Sequence, residues 1–65
     1  MAIATAPRTG LDLRLRRTAA MVTQTQLAAV IGVSRQAVSN VEALYRPSEM
    51  AVARYLNALE RLAHS

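Results

Sequence analysis

The stretch TQTQLAAVIGVSRQAVSNVE, residues 23–42, sets one glycine between two short apolar patterns in an otherwise helical part of the chain. The apolar positions are Leu27, Ala28 and Ile31 before Gly32, and Val38 and Val41 after it. A glycine inside a helix costs about 1 kcal/mol relative to alanine. We therefore expect Gly32 to end one helix, with a second helix beginning shortly after it.

Residues suited to capping flank both segments. Thr23, followed three residues later by a glutamine, forms a capping-box pattern ahead of a helix over residues 24–31. Gly32 lies where a helix C-terminus favours a left-handed residue, and Ser34 can cap a helix over residues 35–43. So short a turn cannot join two parallel helices. The helices must cross steeply, and the pattern predicts a helix-turn-helix.

A helix-turn-helix that reads DNA makes further demands, which this stretch meets. Ala28 supplies a small residue where the helices cross, and Val33 is expected to plug the turn. Val38 and Val41 form a narrow stripe for burial on the second helix. The opposite face is then polar and available for the major groove, and its residues are Arg35, Gln36, Ser39 and Asn40.

The segment before this motif predicts another helix, over residues 11–22. Its expected buried face has members at helical spacing: Leu11, Leu15, Thr18, Ala19 and Val22. Leu13 and Arg17 fall on a neighbouring strip, and Arg14 and Arg16 are expected to face water. Residues 1–10 contain Pro7 and Gly10 without sustained periodicity, and they predict a flexible N-terminal arm that is made mildly basic by Arg8.

A fourth helix is expected after Pro47 and Ser48. Its apolar stripe consists of Val52, Tyr55, Leu56, Leu59, Leu62 and Ala63. Four apolar residues outside that stripe are candidates for a dimer interface: Met50, Ala51, Ala53 and Ala58. Residues 11–65 thus form one helical domain, and the fold class is all-α, a compact bundle of four or five helices that contains the helix-turn-helix.

Composition narrows the function. Sixty-five residues without tryptophan, phenylalanine or cysteine must build a core from aliphatic side chains, and they offer neither a disulfide nor a thiolate zinc site. The four carboxylates are scattered and the one histidine, His64, is near the C-terminus, so we expect no metal site, no cofactor and no enzymatic activity. Neither a membrane span nor a signal peptide is recognisable, and a cytoplasmic location is expected.

The net charge is +4, and every basic residue is an arginine. The guanidinium group donates two parallel hydrogen bonds, which suits phosphates and the guanine edge. Charge alone is weak support for nucleic-acid binding. Combined with the polar outer face of the second motif helix, it makes double-stranded DNA the expected partner.

Residues 23–42 resemble the DNA-binding domains of the lambda-repressor, Cro and XRE family, whose core reads roughly T-Q-x-x-L-A-x-x-x-G-V-S-x-x-x-[IV]-S-x-x-E. A looser correspondence extends from Leu13 to Leu59. The resemblance implies a four- or five-helix bundle, dimeric binding to a pseudo-palindromic operator, and regulation of transcription. The chain departs from the family at Met21, where relatives usually carry glycine, and in the short loop ALYRP, residues 43–47.

The resemblance also implies residue roles. Base edges would be read by Arg35, Gln36, Ser39 and Asn40. Phosphates would be held by Gln24, Ser34, Tyr45 and Arg46, and Arg14 and Arg8 are further candidates for the backbone. Arg17 and Glu42 match a family ion pair that ties the first helix to the third.

These inferences predict a sequence-specific, double-stranded DNA-binding transcriptional regulator, a repressor acting as a homodimer with half-sites about 10 bp apart and without a small-molecule ligand. Two other functions stay open. One is an antitoxin-like adaptor whose fourth helix grips a partner protein. The other is an excisionase-like architectural protein that bends DNA.

Overall fold

A threonine or serine caps the start of every helix in the computed structural model, which describes residues 9–64. The helices are α1 (Gly10–Ala19), α2 (Gln24–Ile31), α3 (Arg35–Ala43) and α4 (Glu49–Ala63), and their caps are Thr9, Thr23, Ser34 and Ser48. Each capping hydroxyl accepts a backbone N–H three residues later, at 3.0–3.1 Å. The predicted all-α class is confirmed, with four helices in the described residues.

Helix α1 begins earlier than predicted. Thr9 and Asp12 form a reciprocal capping box, so Thr9 and Gly10 belong to the helical domain and not to the arm. The Gly10 N–H donates to the carbonyl oxygen of Leu44 at 2.8 Å, which joins the start of α1 to the end of α3. A Cβ on Gly10 would clash with three backbone carbonyl oxygens of that segment. The arm prediction for residues 1–8, which includes Arg8, lies outside the described residues.

The predicted buried face of the first helix is wrong except at Val22. Leu13 is fully buried, whereas Leu11 and Leu15 are 57% and 58% exposed. The helix also ends at Ala19 instead of Val22, and the chain reverses there before Val22 enters the core. Helices α3 and α4 pack against α1 on the strip that carries Leu13. Both strips of α1 have helical spacing, so the packing of the other helices decides which of them is buried.

The corner between α2 and α3 forms as the capping pattern predicts. Gly32 adopts a left-handed conformation with φ 88°, and its N–H and that of Val33 both donate to the carbonyl oxygen of Ala28. Ala28 is buried where the helices cross, together with Leu27. Val33, the expected plug of the turn, is 43% exposed instead, because α4 leaves it beside an open cleft.

Helix α4 closes the core with its apolar stripe. Tyr55 and Leu59 are buried, and three further stripe residues pack against the core as partly buried side chains: Val52, Leu56 and Leu62. Ala63 is exposed, since the stripe reaches the end of the helix there. Ala58, assigned above to a dimer interface, is buried in the core and is not available for one. The small side chain lets α4 approach its neighbours closely.

Candidate nucleic-acid interface

The outer face of α3 presents a row of polar side chains to solvent. Arg35, Gln36 and Asn40 are exposed, and Ser39 is half-buried. The Gln36 amide nitrogen donates to the Asn40 side-chain oxygen at 2.9 Å, one helical turn away. This bond leaves the Gln36 oxygen as an acceptor and the Asn40 amide as a donor, and an acceptor beside a donor is the pattern that an adenine edge complements.

Arg35 occupies the first turn of α3, where the positive end of the helix dipole disfavours a cation. Its guanidinium donates to the side-chain oxygen of Gln24 at 3.4 Å, a long hydrogen bond that links the starts of α2 and α3. Most of the guanidinium donors stay unused by the described residues. Arg35 therefore has one weak contact within the domain and remains able to bind an anion or a guanine edge.

Gln24 is in turn anchored from below by Glu42. The Gln24 amide nitrogen donates to Glu42 Oε1 at 3.0 Å, so this half-buried side chain has little freedom to rotate. Its orientation directs its oxygen toward Arg35. The two hydrogen bonds connect the interior of the domain to Arg35, the first residue of α3.

Glu42 is the centre of a four-bond network. Arg17 binds both carboxylate oxygens, with Nε 2.6 Å from Oε2 and Nη2 3.2 Å from Oε1. The Tyr55 hydroxyl is 2.6 Å from Oε2, and Gln24 completes the set at Oε1. The Glu42 side chain is only 4% exposed. Each oxygen thus accepts two hydrogen bonds, which is what a buried carboxylate requires if it is to stay charged.

The network shifts the pKa values of its members. Burial alone would raise the pKa of Glu42, but the hydrogen bonds from Arg17, Tyr55 and Gln24 outweigh it and the pKa is lowered. The hydrogen bond to Glu42 raises the pKa of Arg17. Burial, followed by the hydrogen bond to Glu42, raises the pKa of Tyr55. Near neutral pH the site holds a carboxylate, a guanidinium and a neutral phenol.

Tyr55 is the member of this network that sequence reasoning missed. It was assigned to the apolar stripe of α4, where it is indeed 1% exposed, yet its hydroxyl reaches both Glu42 and the carbonyl oxygen of Leu13. A buried tyrosine needs a partner for its hydroxyl, and that requirement was the available signal. The sequence does not reveal which polar group from another helix meets it.

The structure brings Arg17 and Glu42 together, as the resemblance implies, and gathers several other site residues around them. One groove between α1 and α3 is lined by Arg14, Gln24 and Ser39, with the ion pair at its base. A second groove is lined by Gln24 and Arg35 at the start of α2. Arg14 is exposed at the edge of the first groove and extends the positive charge beside α3.

Three of the residues predicted to contact phosphates lie outside the hydrogen-bond network around Glu42. Ser34 uses its hydroxyl oxygen to cap α3, accepting from the N–H of Ala37 at 3.1 Å, so only its hydroxyl proton is left for a phosphate. Tyr45 and Arg46 project from the loop between α3 and α4, and both are exposed. Within residues 9–64 no hydrogen bond ties either side chain to the rest of the site. Their predicted role depends on how the loop meets a partner.

Comparisons with known proteins agree with this geometry. A family model described as helix-turn-helix matches residues 13–62, from the buried leucine of α1 to the last turn of α4. The searches of curated proteins and of solved structures found no match. Across residues 9–64, none of the helices has the length and apolar character that crossing a bilayer requires.

Proposed function

The chain belongs to the Cro/C1-type helix-turn-helix family of DNA-binding regulators, also called the XRE family, and from this premise we propose that it is a transcriptional repressor. It would bind a pseudo-palindromic site in double-stranded DNA as a homodimer in the cytoplasm. Repression would follow from occupying promoter DNA, which needs no cofactor.

The observation that carries the proposal is the hydrogen-bonded path from the interior to α3. Gln24 donates to Glu42 at 3.0 Å and accepts a long hydrogen bond, at 3.4 Å, from Arg35, the first residue of α3. A reader of base edges must hold its side chains in place before binding, because ordering them at the interface would reduce the affinity. In this proposal Arg35, Gln36, Ser39 and Asn40 lie in the major groove.

The phosphate contacts would set position without reading sequence. We assign this role to Gln24, Ser34, Tyr45, Arg46 and Arg14, all of which border α3 or the loop that follows it. Gln24 would have a second task, since it also orients Arg35. A single α3 of nine residues spans too few base pairs to select one site in a genome, which favours two half-sites about 10 bp apart.

The first experiment is selection of bound duplexes from a random oligonucleotide pool with the 65-residue chain. A symmetric consensus with halves about one helical turn apart is expected. Recovery of a sequence-independent pool would refute specific binding. A bent duplex carrying several adjacent sites would favour the architectural alternative.

Two substitutions then separate base contacts from phosphate contacts. Arg35→Ala should weaken binding to the selected site by about 10- to 100-fold for each half-site, and much less on random duplex, because a bidentate contact to guanine is worth about 1–3 kcal/mol. Equal losses on both duplexes would make Arg35 a phosphate contact. Arg16→Ala removes an exposed arginine of α1 that lines none of the grooves described above, and it serves as the matched control.

Arg46→Ala should weaken binding to both duplexes alike. It should also flatten the dependence of log K on log salt by about 0.9 for each phosphate contact removed, so by about two in a dimer. An unchanged slope would remove Arg46 from the interface.

A further inference from the structure

A second surface lies where α4 passes the corner between α2 and α3. It shares no lining residue with the two grooves beside Gln24 described above. We call it the α4 cleft. It consists of a small cavity and an adjoining groove, both lined by Ile31, Val33 and Arg54. Ala51 also lines the cavity, and Asn57 and Arg61 also line the groove.

The size of the cavity limits what can occupy it. Its volume is about 120 Å³, and its walls are mostly apolar, with Val41 and Ala51 among them. Pockets for organic ligands usually enclose about 300–1,000 Å³, whereas a cavity of about 150 Å³ accommodates a molecule the size of benzene. The cavity therefore suits one large apolar side chain better than a complete metabolite.

The exposed valine at the corner belongs to this surface. Val33 is 43% exposed although the sequence pattern predicted that it would plug the turn. It lines both parts of the α4 cleft, together with the half-buried Ile31. The α4 cleft therefore has a small apolar floor that the domain itself leaves open to solvent.

Two arginines give the α4 cleft its charge. Arg54 lies at the junction of cavity and groove, and Arg61, seven residues further along α4, lies in the groove. Seven residues make two helical turns, which places them about 10 Å apart on one side of α4. Both are exposed, and no ion pair is found for either within residues 9–64. The glutamates of α4, Glu49 and Glu60, line neither part of the α4 cleft.

We propose that the α4 cleft binds an acidic amphipathic helix of a partner protein. One large aliphatic or aromatic side chain of that helix enters the cavity, and carboxylates on the following two turns pair with Arg54 and Arg61. Amphipathic helices bind in grooves through apolar anchor side chains, and charge pairs beside the anchor add specificity. Although Ala37, Val38 and Val41 of α3 also line the cavity, the α4 cleft includes none of the four polar residues of α3 that are proposed to read DNA.

The test uses the full 65-residue chain and a displayed library of random 16-residue peptides. Selected peptides are synthesised with a fluorescent label, and their Kd is measured by fluorescence polarisation. We expect them to share a large apolar residue with aspartate or glutamate within the next seven positions. Arg54→Ala should raise the Kd by about tenfold or more, since it removes a charge partner beside the anchor.

Ala51→Leu provides a second, independent variant, because the added side-chain atoms occupy the cavity and should raise the Kd by at least about tenfold. Arg16→Ala is the control and should change the Kd by less than about twofold. Circular dichroism melts establish that each variant is folded. If Ala51→Leu unfolds, Arg54→Ala decides the question alone, because its side chain is exposed and its loss leaves the core intact.

Four results would overturn the proposal. The library could return no binder, or only peptides without acidic residues. Arg54→Ala could bind the selected peptides as tightly as the unaltered chain. Sedimentation could show that Arg54→Ala dissociates a dimer, which would assign the α4 cleft to a second copy of the chain. Arg54→Ala could weaken binding to DNA duplexes, which would assign Arg54 to the DNA surface.

Discussion

Tyr55→Phe removes one hydroxyl group from the four-bond network around Glu42 and changes little else. The ring stays in the core, where Tyr55 is 1% exposed, so packing is preserved. The substitution removes the hydrogen bond of 2.6 Å to Glu42 Oε2 and the longer hydrogen bond, of 3.1 Å, to the carbonyl oxygen of Leu13. The variant therefore isolates the link between α4 and the acid that organises α3.

The expected loss follows from the kind of bond removed. A hydrogen bond to a charged group contributes about 1.5–3 kcal/mol, and the carboxylate of Glu42, 4% exposed, has no bulk water to replace it. A chain of this length has a free energy of unfolding of about 3–10 kcal/mol at ~0.05–0.15 kcal/mol per residue. A loss of about 2 kcal/mol is thus a large part of the total.

Urea unfolding followed by circular dichroism at 222 nm measures this loss. With a slope of about 1 kcal/mol per M for a small domain, the midpoint should fall by about 2 M. Tyr45→Phe is the matched control, because the Tyr45 side chain is 77% exposed and makes no hydrogen bond within residues 9–64. We expect the control to change the free energy of unfolding by less than about 0.5 kcal/mol.

The result that would refute this reasoning is a Tyr55→Phe variant as stable as Tyr45→Phe. In that case the phenol would not stabilise Glu42, and Arg17 and Gln24 alone would hold the acid. If stability falls as expected but affinity for the selected DNA site does not, after correction for the unfolded fraction, the network stabilises the domain without positioning α3.

Three further predictions concern the backbone and the acid. Gly10→Ala should lower the free energy of unfolding by about 1–3 kcal/mol or more, since its Cβ would meet backbone oxygens at the end of α3; a thermal melt equal to that of the unaltered chain would contradict the close approach. Met21→Gly should raise the free energy of unfolding by about 0.5–1 kcal/mol, because Met21 has φ 59°, which favours glycine, and its side chain is 89% exposed. Met21→Ala should bring no such gain in the same urea titration. Folding lowers the pKa of Glu42, so the contribution of this carboxylate to stability is complete above the ordinary pKa of 4.5 and is lost as the pH falls through the lower folded value. Glu42→Gln should therefore be less stable at pH 7, and its free energy of unfolding should fall less on acidification. Parallel pH–stability curves for the two proteins would exclude this role.

The departures from the sequence predictions share one cause. In α1, the strip of Leu11 and Leu15 and the strip of Leu13 and Arg17 both repeat at helical spacing, and local periodicity does not rank them. The ranking comes from the other helices, since burying the second strip places Leu13 in the core and brings Arg17 within reach of Glu42. Arg17 and Glu42 are 25 positions apart in the chain, which is farther than a local sequence pattern reaches.

Val33 and Ala58 follow the same logic. Val33 is apolar and was expected to be buried at the turn, yet the path of α4 leaves it beside an open cleft. Ala58 lies outside the main stripe of α4, yet close packing of that helix buries it. In both cases the neighbour that decides the outcome comes from a different helix.

The sequence by itself determined the starts of α2, α3 and α4 and the corner at Gly32, because capping hydroxyls and a left-handed residue act within three or four positions of one another; the cap of α1 at Thr9 was not predicted. It also supplied the polar outer face of α3, since 3.6-residue spacing separates that face from the buried Val38 and the half-buried Val41. Only the tertiary structure decided that Tyr55, Arg17 and Gln24 converge on Glu42. Hydrogen bonds are short and directional, and groups from four helices meet in one carboxylate only after the helices have packed.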